Sequence, residues 1–198
     1  VDYQLSDRQS LFGRSLIYKY DLVVPYTLSH NLLDTDVIDT GAYDLVQSYT
    51  LGHTYLISPT TVNTFRLGIN QTDHERTNAR FFSATDLGVK DYYAYDPKSI
   101  VVRVTGAFSI GSGAGTNLST IYNASDDVSL IRGAHQIALG ANLVQFRNRN
   151  LALGPPSIGN FQFNGQTTGL PLADFMTGKL ASLGERKPRG TYPLQTYI

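Results

Sequence analysis

The chain has 198 residues, with 16 acidic and 16 basic side chains and no cysteine, and its sequence pI is near 7.1. Balanced charge argues against a nucleic-acid footprint, which is usually strongly basic, and the missing thiol excludes disulfides, thiol catalysis and Cys-based zinc sites. No apolar run approaches the roughly 18 residues of a membrane-crossing helix, although a chain that crosses with strands needs none.

A strand-like pattern at 1–5 leads through a polar turn, Ser6-Asp7-Arg8-Gln9, into a second run near 10–20. A long stretch rich in Gly, Pro, Asn and Asp, 21–44, separates it from the run 47–57. There Tyr49, Leu51, Tyr55 and Ile57 fall on one side and Ser48, Thr50, Gly52 and Thr54 on the other, with His53 a misfit on the apolar side. The tight Ser58-Pro59-Thr60 connects to 61–72, where Phe65, Leu67 and Ile69 face away from Thr64, Arg66, Gly68, Asn70 and Thr72. Within the next long stretch, 73–117, the run 100–107 has no crossing left by parity and is expected as extended structure in the loop, together with 160–164. In 119–131, Tyr122, Val128 and Leu130 oppose Asn123, Ser125, Asp127 and Ser129, and Asp126 on the apolar side is read as a bulge. After Arg132-Gly133-Ala134-His135, the run 136–147 sets Ile137, Leu139, Ala141 and Leu143 against Gln136, Ala138, Gly140 and Asn142. A third long stretch, 150–187, precedes a last run near 188–198.

Short turns that alternate with long loops are the layout of a transmembrane β-barrel, whose periplasmic turns are short and external loops long. Side chains alternate faces with period two, so a barrel wall presents one face to lipid and the other to a polar lumen. Runs of about 11 or 12 residues suffice, since tilted strands cross with roughly 9–11. Tyr18, Tyr20, Tyr49, Tyr55 and Tyr122 end the apolar faces as an aromatic girdle does. The fold expected is therefore all-β, an antiparallel transmembrane β-barrel segment of about seven wall strands of a larger barrel, with long external loops. The same alternation fits a half-buried sheet in a soluble protein, which leaves open a soluble all-β binding module, for example a carbohydrate-binding one.

Sites for bond chemistry are not legible. The segment Gly111-Ser112-Gly113-Ala114-Gly115-Thr116 lacks the strand-to-helix context and Lys-Ser/Thr of a phosphate loop and reads as a flexible glycine loop. His30, His53, His74 and His135 lie in separate elements, and Asp34-Thr35-Asp36 reads as a solvated loop rather than a calcium site. No Gly-x-Ser-x-Gly elbow supports a hydrolase. No catalytic, cofactor-binding or metal residue is assigned, and no enzyme activity is expected.

Four segments carry a resemblance to a known family. They are Asp2-Tyr3-Gln4-Leu5-Ser6-Asp7 with Leu11-Phe12-Gly13-Arg14, then Ser58-Pro59-Thr60-Thr61-Val62-Asn63-Thr64-Phe65-Arg66-Leu67-Gly68. The others are 126–140, with its Arg132-Gly133-Ala134-His135 turn, and Gly169-Leu170-Pro171-Leu172-Ala173-Asp174-Phe175-Met176-Thr177-Gly178. In this order they resemble the barrel of TonB-dependent outer-membrane receptors of the Oar-like branch, with Leu130 where that branch has Trp. The resemblance implies the bacterial cell outer membrane, surrounding outer-membrane lipid, and uptake of a ligand such as a siderophore, oligosaccharide or peptide without any cofactor. It further implies that residues 1–198 are a partial outer-membrane β-barrel, with the plug, the N-terminal extension and the barrel C-terminus absent, so that the TonB complex engages parts outside this sequence. Arg66, Asn70, Asn123 and Asn142 are the candidate lumen-lining residues, facing a ligand path or a plug. A passive structural barrel is a third reading.

Overall fold

Period-two alternation emerges as long antiparallel hairpins. The computed structural model describes residues 1–90, 96, 98–187, 189–191 and 194–197. Strands β1 (Asp2–Ser6) and β2 (Gln9–Leu22) are followed by a helical turn, α1 (Tyr26–Ser29), and a 3-10 turn at Leu32–Thr35. Next come β3 (Gly41–Ser58), β4 (Thr61–Thr77), the short β5 (Val101–Val104) and β6 (Phe108–Ile110), then β7 (Ala114–Arg132) and β8 (His135–Leu153). The remainder comprises α2 (Pro155–Ile158), β9 (Asn160–Phe163), α3 (Pro171–Met176), β10 (Ser182–Gly184), β11 (Arg189–Thr191) and β12 (Leu194–Tyr197).

The wall is one antiparallel sheet in the order β1-β2-β3-β4-β7-β8-β11, with β12 also on β8. Arg189 opposes Ala152 and Leu194 opposes Arg147, so β11 and β12 follow one register along β8 and share a single wall position. Seven wall positions thus stand among the described residues, as the alternation implied. Of the expected last run, Pro188, Tyr192, Pro193 and Ile198 lie outside the described residues. At the turn between β7 and β8, Gly133 has φ 61, a left-handed conformation that a Cβ would strain.

Cross-strand register sorts the two faces. Rows such as Leu51–Leu67–Ala124–Leu143 and Tyr49–Ile69–Tyr122 lie on one face, while Thr50–Gly68–Asn123 and Gly52–Arg66–Ser125–Asn142 lie on the other. The apolar rows run from Tyr49 down to Leu130 and Ile137, about 20–25 Å of wall at the rise and tilt of barrel strands, which matches the apolar band of an outer-membrane barrel. Above Tyr49 the same face turns polar, with Gln47, Gln71, Thr120 and Arg147 in one row. The strands continue through that polar zone: β3, β4, β7 and β8 have 18, 17, 19 and 19 residues. That is well beyond the roughly 9–11 that cross a bilayer, so the upper third of the wall stands above the membrane.

Two readings of the wall are corrected. Asp126 makes no bulge: the register runs unbroken from Ser125 through Asp127 against both neighbours, and Asn63 Nδ2 donates to Asp126 Oδ1 across 2.6 Å. A partner for the carboxylate removes the need to turn it away. His53, the other misfit, stands 3.2 Å from Gln9 Oε1 through Nε2. Tyr18 and Tyr20 oppose Val46 and Asp44, on the face of Arg66 and Asn70 rather than that of Tyr49. The inner face of β2 is accordingly its aromatic one, and the Phe12 ring lies over Gly52, where any Cβ would collide with it.

The long loops fold together into a cap with a core of its own. Ile100, Val102, Val104, Ile110, Phe163 and Ala84 are buried against one another. A second sheet, β10-β9-β5-β6, supports them, and β5 runs parallel to β9 with Val101 opposite Asn160 and Val104 opposite Phe163. The expected extended runs in the two loops are therefore a strand pair. Within the cap, burial works to raise the pKa of the Asp174 carboxyl, but hydrogen bonds from the Thr168 side chain and from the amides of Thr167, Thr168 and Gly165 outweigh it and hold the group below its ordinary value. Asp174 thereby ties the loop ahead of α3 to the helix.

Cap and tight turns should lie on opposite sides of the membrane. The chain has no cysteine, so single substitutions report cleanly. On intact cells, Met176→Cys, 76% exposed on the cap, is expected to react with an impermeant thiol reagent, and Ala134→Cys in the β7–β8 turn is not. Reversed labelling would overturn the sidedness.

Candidate functional site

Every buried hydrophobic side chain among the described residues lies at Val24, between Ala79 and Ile110, or at Ile158 and Phe163; none belongs to a wall strand. The wall's apolar side chains remain open instead, Leu51 at 62% and Leu139 at 73% exposure. At about 1.5–3 kcal/mol for each large apolar side chain left in water, six such positions sum to the order of 10 kcal/mol, as large as the net stability of a typical domain. A binding module whose faces pack on each other, the soluble alternative, is not what the chain builds. Lipid is the solvent that removes this penalty, and the opposite face is then the inner one.

Arg66, Asn70, Asn123 and Asn142 all stand on that inner face. Arg66, Ser125 and Asn142 share a row, and Asn123 Nδ2 donates to Asn142 Oδ1 across 2.9 Å. These three form one cluster, whereas Asn70, opposite Ser48 and Ile121, lies two rows nearer the cap. Gly140 faces Asp127 in the same region, and its missing Cβ makes room for the Asp127 carboxylate.

A second polar grouping, not foreseen from sequence, lies where the cap meets the wall. A cavity of about 280 Å³ is lined by Val37, His74, Arg76, Arg103, Ser112, Asn117, Asn150 and neighbouring backbone. Its wall side chains are in register on the inner face: His74, Asn117 and Asn150 form one row, and Arg76 opposes Gly115 in the next. The cap borders it from above. Arg76 Nη2 donates to the Val37 carbonyl at 2.9 Å, the Gly111 amide donates to Thr35 Oγ1 at 2.8 Å, and Ser109 Oγ donates to Asp36 Oδ1 at 3.1 Å. His74 also pairs with Asp44, its cross-strand neighbour on β3.

The glycine segment proves to be pinned rather than flexible. Gly111 has φ 78, and a Cβ there would run into the Ile100 carbonyl, while one at Gly113 would run into that of Leu153. These glycines let the chain thread between cap and wall and deliver Ser112 to the cavity. Among the described residues no three His, Asp or Glu converge as a metal site. Donors, amides and guanidinium groups dominate, an arrangement suited to holding a polar molecule.

An antiparallel wall with an apolar outer belt, a polar inner face and a folded cap over its mouth defines a β-barrel wall of the outer-membrane kind. The comparison of families agrees, since residues 1–197 match the family described as outer membrane beta barrel domain. The chain belongs to that family, and its place is the bacterial outer membrane. No curated protein and no solved structure matches it.

Proposed function

We propose that the chain forms wall and external cap of a TonB-dependent receptor of the Oar-like kind, which captures a scarce ligand outside the cell and passes it inward. Its partners are then outer-membrane lipid, the ligand and the TonB complex, the last reached through parts outside this sequence. The observation that carries the reading is the polar cavity between cap and wall, on the same inner face as Arg66, Asn70, Asn123 and Asn142. Ligand held under the cap has a polar surface leading down the wall, and those four side chains line it. Binding and passage, rather than bond chemistry, are the work of such a surface. The four segments quoted above support the Oar-like assignment by resemblance. Siderophore, oligosaccharide and peptide are the ligand classes to test.

Uptake of these classes should fall at least tenfold in cells lacking the gene, and equally in wild-type cells treated with a protonophore. Uptake that depends on the gene but survives de-energisation would replace the reading with a passive structural barrel.

A further inference from the structure

We propose that the cavity between cap and wall binds a small anion, a carboxylate- or phosphate-bearing group clamped by Arg76 and Arg103. The proposal rests on the uptake reading and narrows its ligand class. At about 280 Å³, the cavity lies just below the size of ordinary ligand pockets, which span roughly 300–1,000 Å³, so it admits one small group rather than a long chain.

Its lining has two cations and no carboxylate. Arg76 uses one terminal nitrogen on the Val37 carbonyl, while its Nε is buried without a partner. Ser112 is 2% exposed and its Oγ has no partner either, although its carbonyl accepts from Asn78 Nδ2 at 3.2 Å. Buried donors left unpaired are rare because desolvation is not repaid, and two on one small cavity mark a place for an acceptor. The Arg103 side chain, exposed at the cap side, makes no hydrogen bond or ion pair among the described residues. Asp36, which borders the adjoining groove with Arg103, is engaged by the Val37 amide at 2.6 Å and by Ser109 Oγ.

A planar guanidinium matches carboxylate and phosphate oxygens in pairs, and charge-assisted bonds of this kind are the strong ones. Asn117 and Asn150, on the row below, can serve the remaining oxygens. The wall side chains that line the cavity stand on the face opposite the apolar belt, so the anion is taken as a free solute rather than as a headgroup of the surrounding leaflet.

Titration calorimetry on the detergent-solubilised, folded protein tests the assignment with citrate, inorganic phosphate and glucose. Citrate or phosphate is expected to bind, glucose is not, and Arg76→Gln and Arg103→Gln are each expected to weaken the anion about tenfold or more. Arg132→Gln, at the far turn, should leave it unchanged. Because Arg76 also holds the cap, Arg103→Gln on the short β5 is the decisive variant, with folding checked by heat-dependent gel mobility. Absence of anion binding, equal binding of glucose, or binding that Arg103→Gln leaves unchanged overturns the site. Anion binding by a protein whose deletion leaves uptake intact would keep the site and remove the transport reading; gene-dependent uptake without anion binding would do the reverse.

Discussion

Arginine at Leu67 is expected to lower the stability of the membrane-inserted protein by about 2–4 kcal/mol, the value for a cation near the bilayer midplane on the lipid face of a barrel. Leu67 stands between Leu51 and Ala124 in a row that Leu143 completes. That row offers the guanidinium no polar neighbour. Gly68→Arg is the comparator, one residue along and on the opposite face. A Cβ there would lie 3.8 Å from the Asn123 Cβ, an ordinary contact, so the side chain enters the polar interior and the change should be much smaller. The chain contains no Trp, so the folded fraction is best followed by gel mobility of vesicle-inserted protein across a urea series. Equal losses at the two positions would contradict the assignment of the faces.

The same face logic explains what the sequence disclosed and what it concealed. Wall strands were legible wherever apolar and polar positions alternated, as from Tyr49 to Ile57 and from Phe65 to Ile69, because lipid and lumen impose opposite demands on adjacent residues. Above the belt both faces meet water. Gln47, Gln71 and Thr120 follow the same register as Tyr49, Ile69 and Tyr122 without any contrast to reveal it, so the alternation stops short of the strand ends. On β2 the contrast is inverted, with Phe12, Leu16, Tyr18 and Tyr20 on the inner face, and a girdle reading based on tyrosine alone misplaced two of them. Arg66, Asn123 and Asn142 were legible as residues of the face opposite the apolar belt because each sits within a clear alternation. The mouth cavity was not, since Val37, Arg76, Arg103, Ser112 and Asn150 come from five separate stretches. Their meeting depends on how the loops pack, a long-range event that no local pattern encodes.

That packing can be tested by itself. Phe163→Ala is expected to destabilise the cap by about 3–5 kcal/mol, the usual consequence of removing a buried aromatic ring. Phe163 is 8% exposed, its ring meets Phe175 edge-on with centroids 5.3 Å apart, and Phe175 meets Phe108 in the same way at 5.2 Å. Deleting the ring therefore opens a cavity where β5, β9 and α3 join. The wall has no buried apolar side chain among its described residues, so it owes nothing to this core and depends on strand hydrogen bonds and lipid instead. Loss should accordingly be local: on intact cells, protease should cut the loops at 78–113 and 154–181 faster, while the gel mobility of the folded barrel stays unchanged. Leu172→Ala, at a side chain 51% exposed on α3, should stay within about 0.5 kcal/mol of the parent. If Phe163→Ala abolished the folded-barrel mobility together with the protection of the loops, cap and wall would be one cooperative unit. The mouth cavity would then share the stability of the membrane-embedded strands.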